Sequence, residues 1–434
     1  MTASGPGLAA ARDARRLLRP LRDEIVDLVR ALVRVDSVAA PPRGHETAAQ
    51  KVLARALRGH RIDVELYDTG FLSRSRHPYV RRDRVYRGRP NLVARLAGTG
   101  RGRSLLLSGH VDTVPPGRGP WRDGPWSGAI RRGRLYGRGS WDMKGGLAAQ
   151  CAVAMALRKA GLRPGGDLIV ESVVDEEFAG GGGTLAGRLR GITADACAIA
   201  EPTNEAVLRA SRGGHFFDVV CRAGDPSAYF SKDEVVSPAV PMGRLLGWIG
   251  SWTARRREVE RGEAYRGFPD PAPVQVLALE ANRFDPDIPW SVPLEARVRV
   301  YFQFLPQEDV PARVAEIEAS LRDFAAADPF FREHPLEVRR LVDPPLEGHE
   351  LPADHPWTRC LHAAACGVLG PEVPLTASEW PCDAFLNQKH FGIPTLVFGP
   401  RGAGAHNADE YVETASVLRT AEVYLAGALE WCGA

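Results

Sequence analysis

The stretch SLLLSGHVDTV, residues 104–114, decides the fold of this chain. A continuous apolar run of this length is typical of a strand buried on both faces, which occurs mainly in parallel sheets. The polar residues His110 and Asp112 follow where the strand should end. A second run, DLIVESVVDEE at residues 167–177, repeats the pattern and ends in three consecutive acids. Two such strands indicate an open α/β sheet with polar groups along one edge.

Helical patterns alternate with these strands. The Ala-rich stretch MKGGLAAQCAVAMALRKAG, residues 143–161, predicts a helix that stops at its final glycine. The alternation predicts an α/β domain with a mostly parallel central sheet flanked by helices. After Thr203 the pattern becomes that of half-exposed antiparallel strands with one amphipathic helix. We therefore predict a main domain formed by 1–208 and 342–434, interrupted by a smaller α+β domain with an antiparallel sheet at 209–341.

Composition excludes several function classes. Of 434 residues, 44% are hydrophobic and 25% charged, and the net charge is +3, so nothing favours nucleic acid or a membrane surface. Seven scattered cysteines without CxxC spacing argue against a disulfide framework and suit a reducing compartment. Without an apolar leader or membrane span, a cytoplasmic location is expected. We interpret the basic segment at 74–90 as a solvated loop rather than a ligand site.

Candidate metal ligands stand at the predicted strand ends. His110 and Asp112 are two residues apart, so they leave the strand on one face. The pair suits a metal-binding His whose ring is oriented by a carboxylate, or simply a His bonded to its own Asp. Asp142 lies between two pairs of glycines at the start of the Ala-rich helix. It could cap that helix or bridge two metal ions.

The adjacent acids Glu176 and Glu177 need different surroundings, because neighbours on a strand point to opposite faces. One can bind metal while the other acts as a base; the alternative is a solvated acidic loop. Strand ends also precede two further candidates, Glu201 and His406. Two His and three carboxylates at one sheet edge suit two zinc ions with an open position for water. The proposed ligands are His110, Asp142, Glu177, Glu201 and His406.

The ordered motifs GHxD, GRGxxDMKGG, DEE, EPT and AHxxDEYV resemble the di-zinc aminoacylase and carboxypeptidase family. That family includes acetylornithine deacetylase, succinyl-diaminopimelate desuccinylase and glutamate carboxypeptidase. The resemblance implies that His110 and Glu201 hold one zinc, that Glu177 and His406 hold the other, and that Asp142 bridges them. It also implies a cis peptide bond after Asp142. Co²⁺ or Mn²⁺ could replace the zinc.

The resemblance assigns roles to neighbouring residues as well. Asp112 would orient His110, and Glu176 would be the general base that passes a proton from water to the leaving amine. The insert at 209–341 would be a lid domain, and in this family the lid often forms a homodimer. Asp383, in the stretch PCDAFL, would be a structural residue or a support for the ligands.

The lid is where this chain departs from the family pattern. Ala228 stands where the family has a His that polarises the substrate carbonyl. Losing one such donor can cost about 100- to 1000-fold in rate. His215 or Tyr229 could take its place. A family Arg that binds the substrate carboxylate corresponds, in different registers, to Arg297, Arg299 or Gln303.

These observations predict a zinc-dependent hydrolase that acts on the amide bond of a small N-acyl amino acid or related compound. The first alternative is a carboxypeptidase or dipeptidase, whose leaving group is an amino acid. The second keeps the zinc site but transfers the acyl group to an amine, because an altered lid could exclude water. The third is a non-catalytic metal-binding homologue, against which the intact Glu176 argues.

Overall fold

The computed structural model describes residues 6–179, 181–223, 237–281 and 293–433. The chain forms two compact units. The main unit comprises Met1–Ala210, Glu350–Ser378 and Cys382–Ala434, and the inserted unit comprises Ser211–His349 and Glu379–Pro381. The insert therefore ends at His349 rather than at the predicted 341. The reason is that Leu346 pairs with Gly214, and His349 Nδ1 lies 2.7 Å from the Ser211 hydroxyl.

The helices and strands of the described residues follow in chain order. The α-helices are α1 (Pro6–Leu18), α2 (Arg22–Val33), α3 (Thr47–Gly59), α4 (Gly145–Lys159), α5 (Gly182–Leu189), α6 (Ala239–Arg257), α7 (Val310–Ala327), α8 (Pro329–Glu333), α9 (Pro356–Leu369) and α10 (Thr414–Cys432). The strands are β1 (Ala39–Ala40), β2 (Arg43–Gly44), β3 (Asp63–Asp68), β4 (Pro90–Leu96), β5 (Leu105–His110), β6 (Ala129–Arg131), β7 (Arg134–Tyr136), β8 (Leu168–Val173), β9 (Cys197–Ile199), β10 (Val207–Ser211), β11 (Gly213–Arg222), β12 (Val274–Ala281), β13 (Glu295–Phe304), β14 (Glu337–Arg340), β15 (His349–Glu350), β16 (Leu375–Ala377), β17 (Thr395–Val397), β18 (Gly402–Ala403) and β19 (Tyr411–Glu413).

The main unit is built on one central sheet with the strand order β15-β10-β17-β9-β5-β8-β4-β3, and β16 pairs with β10. Strands β17, β9, β5 and β8 run parallel. Strands β4 and β3 are antiparallel to their neighbours, and β10 is antiparallel to β17. The sheet is thus mixed, with its parallel part in the middle. The predicted α/β class is confirmed.

Helix α4 carries the Ala-rich stretch and is buried from Gly145 to Leu157. Small residues let it lie close to the sheet, and Gly146 shows this most clearly. A Cβ atom at that position would lie 2.2 Å from the carbonyl oxygen of Ala200. Ala200 immediately precedes Glu201, so the close packing of α4 fixes the strand end that carries this acid.

The inserted unit is α+β, as predicted. Its antiparallel sheet has the order β12-β13-β11-β14, and β11 pairs with β13 along its whole length from Gly213 to Arg222. Helices α6 and α7 contribute apolar side chains to the same core as alternate residues of β11 and β13.

Two further findings bear on the sequence predictions. Three arginines of the basic segment are buried, because Arg81, Arg84 and Arg89 are only 5%, 8% and 3% exposed. The interpretation of 74–90 as a solvated loop is therefore wrong for these residues. All seven cysteines are free thiols. Among the described residues, no helix has the length and apolar character to cross a membrane.

Candidate active site

The carboxyl ends of the four parallel strands meet at one edge of the central sheet. His110 is the last residue of β5, and Glu176 and Glu177 follow β8 after a two-residue turn. Glu201 lies two residues beyond β9, and His406 follows β17 and β18. Ligands bind at this edge in open α/β sheets.

Asp142 lies at the centre of this group. It sits in the turn Ser140–Lys144 that leads into α4, and the Asp142–Met143 peptide bond is cis, as predicted. Its Oδ1 lies 3.2 Å from His110 Nε2, and its Oδ2 lies 3.3 Å from His406 Nε2. The two oxygens of one carboxylate thus face two different histidines, which is the arrangement of a bridging ligand.

The other carboxylates surround the same histidines. Glu177 Oε2 lies 2.9 Å from His406 Nε2, and Glu201 Oε1 lies 3.7 Å from His110 Nε2. Glu176 Oε2 is also close, at 4.0 Å from His110 Nε2. Potential metal-binding atoms of His110, Glu176 and Glu201 all lie within 4.8 Å of one another. Glu176 therefore belongs to the same cluster as His110 and Glu201.

Buried negative charge dominates the electrostatics of the site. Burial, followed by the charge of Glu201, raises the pKa of Glu176 well above its ordinary value. Burial also raises the pKa of Glu177 to about 7, with a further contribution from Asp142. The pKa of Glu201 is raised to about 7 by burial. Carboxylates that cannot all ionise together in a buried site need a cation to neutralise them.

The neighbouring carboxylates raise the pKa values of the two histidines. Burial alone would lower the pKa of His110, but Glu201 and Asp142 outweigh it and raise the pKa well above its ordinary value. Hydrogen bonds with Asp142 and Glu177 raise the pKa of His406 to about 10. Imidazole and carboxylate are the ligands that zinc prefers beside thiolate. The donor types, the two-sided Asp142 and the excess of buried acid all fit a pair of divalent cations.

Asp112 is placed differently from the prediction. His110 Nδ1 lies 2.9 Å from the main-chain carbonyl of Asp112, whereas the Asp112 carboxylate is 3.7 Å away. That carboxylate instead accepts hydrogen bonds from the backbone amides of Glu176 and Glu177, at 3.0 and 3.1 Å. Asp112 thus orients His110 through its backbone, and its side chain holds the turn that carries both glutamates.

One residue of the site was missed by the sequence reasoning. Glu410 is completely buried and accepts hydrogen bonds from Arg138 and from the backbone amides of Gly139, Trp141 and Asp142. It therefore fixes the backbone of the turn that presents the Asp142 carboxylate. The signal for it in the sequence is the DEYV motif, in which Glu410 is the second acid.

The predicted substrate-binding residues lie in the inserted unit. His215 is buried on β11 and packs edge-on against Phe217, with ring centroids 4.5 Å apart. Arg299 donates two hydrogen bonds to Asp218, at 2.7 and 2.8 Å, and Arg297 lies 3.9 Å from the same acid. A substrate carboxylate would therefore have to compete with Asp218 for both arginines.

Two positions of the lid prediction, Tyr229 and Ala228, lie outside the described residues. Asp383 is buried in the main unit and accepts a hydrogen bond of 2.6 Å from the Thr184 hydroxyl. Burial raises the pKa of Asp383 to about 7. Asp383 thus links the start of α5 to the segment before Leu386, which suits its predicted structural role.

Comparison with known proteins places this site in a family. Residues 106–430, more than half of the chain, match the model of peptidase family M20/M25/M40. The chain belongs to the M20/M25/M40 family. The matched region contains every proposed metal ligand of this family member, from His110 to His406. It also contains Glu176 and Glu410. The chain is accordingly an enzyme of a family of amide-bond hydrolases.

Two relatives of this M20/M25/M40 protein align along nearly its whole length, and a third aligns along 78% of it. It is 27% identical to the N-formyl-4-amino-5-aminomethyl-2-methylpyrimidine deformylase of Halalkalibacterium halodurans, over 95% of each chain. It is 28% identical to the succinyl-diaminopimelate desuccinylase of Gluconacetobacter diazotrophicus, over 94% of this chain and 97% of the relative. The desuccinylase of Gluconobacter oxydans is 32% identical over 78% of this chain and 83% of the relative.

Solved structures share the fold of this family member. Human carnosine dipeptidase 1 superposes with a TM-score of 0.74 at 16% identity, covering 98% of this chain and 99% of that protein. A dinuclear metal-binding M20 peptidase from Bacillus subtilis superposes with a TM-score of 0.61 at 15% identity, covering 95% and 99%. At these identities the likeness shows the fold alone.

Proposed function

We propose that this chain is a di-zinc deacylase that hydrolyses the amide bond of a small N-acyl amino acid or related compound. The observation that carries the proposal is the Asp142 carboxylate, whose two oxygens face His110 and His406 from either side. A further acid, Glu176, lies beside this complete set of ligands. A site that only stored metal would need no additional carboxylate.

In this proposal His110 and Glu201 would hold one zinc ion, Glu177 and His406 would hold the other, and Asp142 would serve both. Two ions held there would polarise the substrate carbonyl and lower the pKa of a water molecule. Two other acids of the chain, Asp112 and Glu410, hold the backbone segments that carry several of these ligands. Asp112 holds the amides of the glutamate turn, and Glu410 holds the turn of Asp142.

Glu176 moves the proton. It accepts the proton that the attacking water loses and delivers it to the leaving nitrogen. A C–O bond forms as the C–N bond breaks, so the products are a carboxylic acid and an amine. The turn that carries Glu176 is bonded to Asp112, so the carboxylate is held in place before the substrate arrives.

The acyl-removing names of the full-length relatives favour a deacylase over a dipeptidase. One is a deformylase and another a desuccinylase, and each name denotes removal of an acyl group. The likeness to a dipeptidase is one of fold only, at 16% identity. The dipeptidase function is the second candidate.

A substrate screen tests this proposal. The zinc-loaded protein is incubated with N-formyl, N-acetyl and N-succinyl amino acids and with dipeptides, and products are measured by mass spectrometry. We expect N-acyl compounds to be cleaved at least about tenfold faster than dipeptides, a difference of about 1.4 kcal/mol in barrier. Faster cleavage of dipeptides would favour the dipeptidase. Amide formation that exceeds hydrolysis when an amine is added would favour acyl transfer.

We further propose that the protein forms a homodimer through its inserted unit. Among the described residues β12 is an edge strand of the antiparallel sheet. Its apolar residues Val276, Leu277 and Leu279 are 45%, 49% and 54% exposed. Apolar edge strands are prone to pair with another chain, and a second copy offers the same strand.

Light scattering coupled to gel filtration tests the dimer. The expected mass is twice that of the chain, and Leu279→Lys should shift it to the monomer. Leu162→Lys changes an exposed leucine of the main unit and should leave the mass unchanged. A monomeric wild-type protein would contradict the proposal.

A further inference from the structure

Three buried arginines contact the turn that carries Glu176 and Glu177. We call Arg81, Arg84 and Arg89 the arginine cluster, and residues 175–179 the glutamate loop. Both lie within the main unit. Burying three guanidinium groups is costly unless each is paired and hydrogen-bonded. The partners of the arginine cluster therefore indicate what it does.

The arginine cluster contacts the glutamate loop at both ends. Arg89 donates a hydrogen bond of 2.9 Å to Asp175 Oδ1, and Arg84 Nε lies 3.4 Å from the same oxygen. Arg84 also donates to the carbonyl of Phe178 at 3.0 Å, and Arg81 donates to the carbonyl of Ala179 at 3.3 Å. Glu176 and Glu177 lie between these attachment points. Arg84 alone contacts both ends.

The opposite side of the glutamate loop is held by Asp112, which accepts from the amides of Glu176 and Glu177. The backbone is thus bonded through its amides on one side and its carbonyls on the other. Asp175 and Ala179 have φ angles of 65° and 54°. Such left-handed conformations are uncommon outside glycine and persist where surrounding contacts maintain them.

The arginine cluster is itself anchored to the body of the main unit. Arg89 Nε donates to both carboxylate oxygens of Glu46, at 3.0 and 3.2 Å, and Glu46 directly precedes α3. Arg84 donates to Asp83 at 2.6 Å. The three positive charges are matched by Glu46, Asp83 and Asp175. This balance argues against an anion-binding site and in favour of a structural attachment.

We propose that Arg84, supported by Arg81, is a positioning residue that holds the glutamate loop so that Glu176 and Glu177 face different histidines. This inference rests on the proposed function, in which the two adjacent acids have different tasks. A small rotation of the glutamate loop would exchange the positions of the two carboxylates or turn them away from the histidines. The contacts from Arg84 to Asp175 and Phe178 prevent that rotation at either end.

The test compares Arg84→Met with Arg84→Lys in the metal-loaded protein. Methionine keeps much of the volume but removes every donor, so we expect kcat to fall about 10- to 100-fold through misplacement of the base. KM should stay within about threefold, because substrate binding is not altered. Lysine restores the charge and one donor nitrogen and should recover part of kcat.

Hydrogen–deuterium exchange gives a readout that does not depend on activity. The amides of Glu176 and Glu177 should exchange about tenfold faster in Arg84→Met, because the loop opens more often. The matched control is Arg82→Met. Arg82 is exposed and donates to the carbonyls of Ser73 and Ser75, away from the loop, so kcat and exchange should match the wild type.

The outcomes separate this inference from the proposed function. A wild-type protein without amide-hydrolase activity would overturn the function, while faster exchange in Arg84→Met would still support the positioning role. Unchanged exchange and unchanged kcat in Arg84→Met would overturn the inference alone. If Arg84→Met does not fold, Arg81→Gln decides, since Arg81 makes a single contact with the loop. A wild-type kcat and exchange rate in that variant would also overturn the inference.

Discussion

Replacing Glu176 with glutamine should reduce kcat by about 100- to 10,000-fold, the usual contribution of a general base, and leave two equivalents of zinc bound. The amide side chain has nearly the same shape but cannot accept a proton from water. The five proposed ligands are untouched, and the backbone amide of residue 176 can still donate to Asp112. Elemental analysis and steady-state kinetics on the same preparation measure both quantities.

The same substitution at the neighbouring acid, Glu177→Gln, shows whether the expected result is specific to Glu176. Glu177 lies 2.9 Å from His406, so its loss should release one zinc. Glu65→Gln makes the same chemical change on the exposed side of β3 and should alter neither quantity. If Glu176→Gln loses metal while Glu177→Gln retains it, the roles of the two acids are exchanged.

The gathering of the proposed ligands could be predicted because each follows a recognisable local pattern. His110 and Glu201 follow apolar runs that are continuous rather than alternating, as expected for strands buried on both faces. Parallel strands bring such ends to one edge of a sheet. The structure places the side chains of Glu177, Asp142 and His406 there as well. Periodicity and topology predict that these residues gather at one edge of the sheet, and the resemblance to the family assigns each of them to a metal ion.

The supports of the site could not be predicted in the same way. Arg89 and Asp175 are 86 positions apart, and Glu410 and Asp142 are 268 apart. No local pattern marks such pairs, because an arginine that will be buried looks the same in sequence as one that will be solvated. The use of the Asp112 carbonyl rather than its carboxylate also depends on backbone geometry that spacing does not reveal.

Helix α6 was missed for a different reason. Its buried residues Met242, Leu245, Ile249 and Trp252 recur every three or four positions, which is the signature of a helix face. Glycines and a proline interrupt the stretch, and four arginines follow the apolar residues or lie among them. The signal was present but was diluted by residues that favour other structures.

Replacing Asp142 with asparagine should remove both metal ions and abolish turnover. Each oxygen of this carboxylate faces a different histidine, and asparagine supplies one oxygen and one NH₂ group that cannot bind a cation. It also removes the negative charge shared by the two sites. Loss of the metal ions removes two contributions to catalysis, the Lewis acid and the proton transfer that depends on it. Each of them lowers the activation barrier by several kcal/mol. Metal content should fall from two equivalents towards none.

Two controls accompany the measurement on Asp142→Asn: a matched substitution of an exposed aspartate, and wild-type protein treated with a chelator. Asp63→Asn changes an exposed aspartate of β3 and should keep two equivalents and full activity. Wild-type protein stripped by a chelator should regain activity with zinc, cobalt or manganese, whereas Asp142→Asn should not. Retention of two tightly bound ions by Asp142→Asn would show that this carboxylate does not bridge. Retention of one ion would show that Asp142 belongs to a single site, since only a shared ligand couples the loss of both.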